Sequence, residues 1–416
     1  MSEMVIESSV REAGKDPIFR VAGMAAQRAA EVGKDAIINS TIGALMDDNG
    51  ELICFDTVYN TLKSLPNNEI ANYAPMPGTP EFREKAIEAC FKSHKPEGYI
   101  RAVATPGGTG AIRHSFANYT EYGDKILVPN LYWAPYKTIA RENRRDVQEF
   151  EMFDESGAFN IPEYERNFSE LLEKQGRVLS VMNTPAHNPT GYSVSDDEWK
   201  ELIQFYTKEA NENPDKRIII VCDVAYIDFA GQDEDARSFM ELLVNMPHNV
   251  LVLYAFSASK SFTMYGLRNG ALICVAPTEE VAAEFEASCI FSTRGTWSNG
   301  TRGAMQTLAT IFSDEELYND FLKEQKKYRS ILQERAKAFL TNAEKIGLKI
   351  CDYHDGFFLS IPCENPTAVS DKLMEKDFFI VALKKGLRFA PCAVSIEKCA
   401  KAPQMILEAI EEVNGK

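Results

Sequence analysis

The residues of this sequence best suited to chemistry fall into three short sets. Ser257-Ala258-Ser259-Lys260 closes an apolar run, and Arg268 follows eight positions after the lysine. Upstream stand Asp223 and Tyr226, in the order D-x-A-Y, and before them Asn183-Thr184-Pro185-Ala186-His187-Asn188-Pro189-Thr190-Gly191. A lysine amine that gives up its proton easily condenses with an aldehyde, and a neighbouring cation or loss of water eases that step. Further upstream, Gly107-Gly108-Thr109-Gly110-Ala111 leads into a helical pattern over 112–119. A glycine-rich start of a helix suits phosphate, because backbone N–H groups point outward there. Taken singly, each set reads equally well as something ordinary: solvated loop residues after a strand, a turn before proline, glycines ahead of a helix.

The elements that must position these groups are legible around them. Apolar runs at 178–182, 218–222, 251–256 and 270–275 contain β-branched residues and end at polar or turn residues. Such runs are typical of strands covered on both faces of a parallel sheet. Helical patterns over 196–209 and 278–289 lie between them, and the alternation implies a doubly wound α/β sheet. In such sheets ligands bind beyond the carboxyl ends of the strands, where the three sets fall. One long amphipathic helix is expected over 314–346, with Leu317, Phe321, Tyr328, Leu332 and Phe339 on its apolar face. Shorter segments at 348–352, 357–361, 378–381 and 386–390 suggest an α+β domain. The expected organisation is a large cofactor-binding domain over 55–320 and a small domain made of 1–54 and 321–416.

Composition narrows the function classes. With 416 residues the chain buries a large core without staples. Its net charge of −16 argues against nucleic-acid binding, though local arginines still serve an anionic ligand. The nine cysteines form no C-x-x-C pair and read as reduced thiols. The five histidines lack metal-ligand spacing, so no metal is expected. The opening MSEMVIESSV has neither a basic start nor a long apolar run, and no stretch is long enough to span a membrane, which leaves a cytoplasmic protein as the expectation.

In their order, the H-N-P-T-G, D-x-A-Y and S-x-x-K…R sets resemble the aspartate-aminotransferase family, class I/II aminotransferases of the pyridoxal-phosphate-dependent fold type I. The resemblance runs from Asp16-Pro17-Ile18 to Arg388. It implies that Lys260 holds pyridoxal 5′-phosphate as a Schiff base and then moves protons as general acid and base. It implies that Asp223 pairs with the pyridine nitrogen, that Tyr226 and Asn188 bond the phenolic oxygen, and that Trp133 stacks on the ring. Gly108, Thr109, Ser257 and Arg268 match phosphate contacts, and some relatives have serine where Gly107 stands. Tyr73 matches a tyrosine that reaches the phosphate of a neighbouring subunit, which implies a homodimer with shared active sites. Phe358 matches an apolar wall.

For the substrate, the resemblance implies that Arg388 grips an α-carboxylate. Ile42 and Gly43 match a loop that closes over the substrate, with Trp133 and Asn188 also at the substrate. Arg294 aligns with the arginine that binds a side-chain carboxylate, which favours transamination of aspartate with a 2-oxo acid such as 2-oxoglutarate. Tyr136 and Asn183 replace family histidines and Leu45 replaces a tyrosine, departures expected to re-line the pocket. An aromatic or broad-specificity aminotransferase therefore stays open as the alternative. A pyridoxal-phosphate lyase makes less use of Arg294, and a DNA-binding regulator has the opposite charge.

Overall fold

The computed structural model describes residues 4–6, 9–10, 17–231 and 235–415. Asp16 and half of the opening segment read above lie outside the described residues. The chain divides into two compact units, one of Ile53–Gln333 with Cys351–Phe358, the other of Met1–Leu52, Glu334–Ile350 and Leu359–Lys416. The long helix arises as expected, over Glu315–Ile346, with Phe321, Leu332 and Phe339 buried.

In the smaller unit, β1 (Ile38–Asn39) runs parallel to the short strand Phe378–Phe379. Leu359–Pro362, Gly386–Phe389 and Val381–Leu383 form an antiparallel sheet, and Phe389 packs on Phe339. Segment 348–352 takes no regular form.

The larger unit is built on one seven-stranded sheet. Its strands are β2 (Tyr99–Thr105), β3 (Lys125–Pro129), β4 (Asp146–Phe150), β5 (Arg177–Asn183), β6 (Arg217–Asp223), β7 (Val250–Ser257) and β8 (Gly270–Ala276). Their order is β2-β8-β7-β6-β5-β3-β4, and only β8 runs against its neighbours. All eight residues of β7 and all seven of β8 are buried, because helices cover both faces, and this is why their sequences are unbroken apolar runs. The edge strand β4 is half-exposed and correspondingly polar.

Local signals fix the helix starts. The helix Asp196–Glu212 opens with a capping box, in which Ser195 accepts from Glu198 N–H and the Glu198 side chain accepts from Ser195 N–H. Thr278 caps Glu279–Thr296 and Asn160 caps Ile161–Gln175, which ends on Gly176 in the left-handed conformation. Among the described residues no helix is long and apolar enough to cross a membrane. No cluster of His, Cys, Asp and Glu among them would hold a metal ion. All nine cysteines are free thiols.

Candidate active site

The sheet collects its chemistry at one edge. Asn183, Asp223 and Ser257 are the last residues of β5, β6 and β7, and the strand register sets Asn183 beside Asp223. Thr105 closes β2 opposite Gly270, so the helix that follows β2 starts at the same edge. That helix spans Gly107–Tyr119 and has no side-chain cap, so the glycine-rich segment is its first turn rather than a loop before it. Its leading N–H groups have no intrahelical acceptors.

These ends enclose a cavity of about 240 Å³, lined by Gly108, Thr109, Trp133, Asn183, Asn188, Asp223, Tyr226, Ser257, Lys260 and Arg268, with Ala225, Ser259 and Tyr265. The structure thus brings together nine of the residues singled out above as cofactor contacts. Tyr73 is elsewhere on the larger unit and is 87% exposed. Arg294 stands exposed in the last turn of Glu279–Thr296, donating to Ser298 Oγ at 2.7 Å. Arg388 and Gly43 belong to the smaller unit, where Arg388 is buried and donates to the Thr41 carbonyl at 3.0 Å.

One end of the cavity is anionic. Asp223 is buried, which drives its carboxyl up, while hydrogen bonds from Tyr136 and Ala225 pull it back, leaving it at about 6. Tyr136 donates to Oδ2 at 2.5 Å and the Ala225 N–H to Oδ1 at 3.2 Å. Asn183 does not point away as a passive replacement. It donates to the Asp223 carbonyl at 2.9 Å and accepts from Asn188 N–H at 2.7 Å, so it locks the H-N-P-T-G turn to β6. Asn188 in turn donates to Tyr226 Oη at 3.2 Å. His187 in that turn is buried and bonded to Thr190, and burial lowers its pKa to about 3, so it is neutral.

The other end is cationic. Arg268 donates to Ser259 Oγ at 3.0 Å, to the Tyr265 carbonyl at 2.9 Å and to the Pro106 carbonyl at 3.3 Å. Burial lowers its pKa from the ordinary arginine value, yet arginine keeps its charge in proteins. Gly107 has φ +69°, and a Cβ there would lie 2.5 Å from an Arg268 guanidinium nitrogen. A serine here would therefore be strained in the backbone and would have to displace the Arg268 guanidinium, which favours the glycine found at this position.

Lys260 lines the same cavity, on the short turn of helix Ala258–Ser261. Its Nζ lies 4.8 Å from the Tyr265 ring centroid and 6.0 Å from those of Tyr226 and Phe357. Behind it, the buried Asp228 bonds Arg237 at 2.7 Å and Lys92 at 3.2 Å, with the Ser261 hydroxyl beside it. Burial pushes the Asp228 carboxyl up, but Arg237 and Lys92 outweigh it and hold it well below the usual range. Arg237 also donates to the Cys90 carbonyl at 2.9 Å, so this cluster ties the turn after Tyr226 to the helix Pro80–Phe91.

The sequence reading missed Tyr265 and Phe357 as neighbours of the lysine. Tyr265 lies between Lys260 and Arg268, so its place in the motif was the available signal. Tyr136 is corrected: it is fully buried against Asp223 and does not line the cavity. Leu45, on the smaller unit, is wholly buried.

Residues 35–406 match the family of class I and II aminotransferases. The chain belongs to that family. A solved aminotransferase from Anaerococcus prevotii superposes with a TM-score of 0.96 at 38% identity, covering 98% of this chain and all of that one. The aspartate aminotransferase of Escherichia coli K12 is 26% identical over 346 residues, covering 82% of this chain and 83% of the relative. An aromatic-amino-acid aminotransferase from Burkholderia pseudomallei, solved covalently bound to pyridoxal phosphate, has a TM-score of 0.78 at 20% identity over 98% of this chain, which shows the shared fold. This aminotransferase is thus a pyridoxal-phosphate enzyme of the mostly parallel α/β type, acting on an amino acid and a 2-oxo acid. The donor set fits the cofactor: a carboxylate, an amine, a guanidinium, a hydroxyl and uncapped helix N–H groups share one cavity.

Proposed function

We propose that this aminotransferase moves the amino group of aspartate to a 2-oxo acid such as 2-oxoglutarate. The observation that carries the chemistry is the single cavity shared by the Lys260 amine, the Asp223 carboxylate and the Arg268 guanidinium. Bound pyridoxal phosphate supplies an aldehyde for the amino group and a ring that takes up the electron pair left at the substrate Cα. Lys260 Nζ supplies the amine that attaches the cofactor and, once released, carries a proton between the substrate Cα and the cofactor C4′. Asp223 keeps the ring nitrogen protonated. Tyr226 and Asn188 donate to the phenolic oxygen, and Trp133 covers the ring and excludes water. Gly108, Thr109, Ser257 and Arg268 hold the phosphate. Arg388 grips the substrate α-carboxylate near Gly43, with Arg294 taking the distal carboxylate. The exposure of Tyr73 and Arg294 supports a homodimer in which each copy lends these side chains to the other's site. The two compact units correspond in this reading to a large cofactor-binding domain and a small domain.

The aspartate preference draws on Arg294 and on relatives that are aspartate aminotransferases. The likeness to aromatic-amino-acid aminotransferases favours a second reading, an aromatic or broad-specificity donor. The test mixes the holoenzyme separately with aspartate, tyrosine and phenylalanine and follows the cofactor absorbance. Conversion to the pyridoxamine form by aspartate alone supports the first reading. Conversion chiefly by aromatic donors replaces it with the second, and release of ammonia or carbon dioxide without conversion defeats both.

A further inference from the structure

Tyr136 touches no part of the cavity, yet it is in contact with two of its walls. It occupies the first turn of the helix Pro135–Glu142 and is wholly buried. Its hydroxyl donates to Asp223 Oδ2 at 2.5 Å. Its ring meets Trp133 edge-on at 5.4 Å and lies parallel to Tyr132 at 6.4 Å. We infer that Tyr136 is a positioning residue for the cofactor ring: its hydroxyl holds Asp223 ionised and oriented, while its ring fixes the plane of Trp133. The inference rests on Asp223 pairing with the cofactor's ring nitrogen.

The chemistry of the pair gives the direction of the effect. A buried carboxylate favours its protonated form unless donors offset the lost water. Asp223 has two side-chain acceptor oxygens, and Ala225 N–H and Tyr136 Oη serve one each. Burial and the charge of Asp223 both drive the Tyr136 phenol well above the ordinary tyrosine value, so it stays a donor throughout the working range. A histidine, which the resemblance implies for the aspartate enzymes, would titrate near neutrality and would exchange donor and acceptor roles. Tyrosine removes that freedom and leaves Asp223 as the acidic-side switch. The other ionisable groups lining the cavity with Asp223 are Tyr226, Lys260, Tyr265 and Arg268, and the buried Cys222 thiol is on the preceding residue.

The test uses full-length protein with pyridoxal phosphate as the probe, its dissociation constant read from quenching of tryptophan fluorescence between pH 5 and 9. Tyr136→Phe keeps the ring and removes the donor. The pH below which affinity falls should move up by about one unit, which is tenfold in proton affinity. Binding should weaken about threefold at pH 6.5, approach about tenfold at pH 5 and stay within about twofold at pH 9. Tyr136→His, which restores a donor, should return the profile most of the way. Equal weakening of Tyr136→Phe at every pH would mean a packing role only, and an unchanged profile would mean no role; either overturns the inference. Asp223→Asn separates the two levels of argument. If it binds the cofactor as the parent does at all pH values, the reading of Asp223 itself fails. If it weakens binding while Tyr136→Phe shifts nothing, only the role of Tyr136 fails.

Discussion

Replacing Asp223 by asparagine should make the cofactor-free protein more stable at neutral pH while damaging its function. The Asp223 carboxyl sits at about 6, against an ordinary value of 3.8, because burial outweighs its two hydrogen bonds. A shift of that size corresponds to about 3 kcal/mol of destabilisation when the group is ionised. The folded value lies above the unfolded one, so the penalty is absent below about pH 4, grows between about pH 4 and 6, and is constant above. Asparagine removes the charge but keeps only one acceptor for two donors, which costs about 1–2 kcal/mol. The net expectation is a gain of about 1–2 kcal/mol at pH 7.5, vanishing or reversing by pH 4. Urea unfolding of the cofactor-free parent and variant across that range measures the difference. A gap independent of pH, or a variant that loses ground as pH rises, would refute the idea that the protein holds this carboxylate charged against its own stability.

Other perturbations probe the rest of the site. Gly107→Ser forces a side chain into a left-handed residue and against Arg268, so it should cost about 1–3 kcal/mol in urea unfolding and weaken pyridoxal-phosphate binding at least about tenfold. Asp228→Asn leaves Arg237 and Lys92 buried without their counter-charge, and about 3–5 kcal/mol should be lost at pH 7. Because the Asp228 carboxyl is depressed in the fold, the parent should lose this contribution only as pH falls below about 4, whereas the variant should show no such loss. Arg294→Ala should lower kcat/KM for aspartate about a hundredfold or more and leave aromatic donors nearly untouched. Equal losses would remove Arg294 from the distal pocket.

Much of the site was readable because the sheet turns chain order into spatial order. Asn183, Asp223 and Ser257 each end a doubly covered strand, so an apolar run followed by a polar residue was enough to find them. The family resemblance then supplied roles that no periodicity contains. What stayed hidden depends on distance along the chain or on tertiary packing. Tyr136 and Asp223 are 87 residues apart, and nothing local marks their hydrogen bond. The reversal of β8 leaves no trace, since a fully buried strand reads alike in either direction. β2, β3 and β4 were overlooked, and the mixed polarity of DVQEF in β4 follows from its place at the sheet edge. The helix beginning at Gly107 runs against glycine's poor propensity, because Arg268 and the strand ends hold that turn in place.

Every side chain lining the cavity lies between positions 108 and 268. In the proposed reading, the wall that one copy supplies to its own cofactor is thus one uninterrupted stretch, and the chain's two terminal portions are left out of it. Holding the cofactor and gripping the substrate α-carboxylate with Arg388 would then vary separately. A mutant library confined to residues 36–50 and 386–394 should return coloured proteins of altered appetite, not colourless ones.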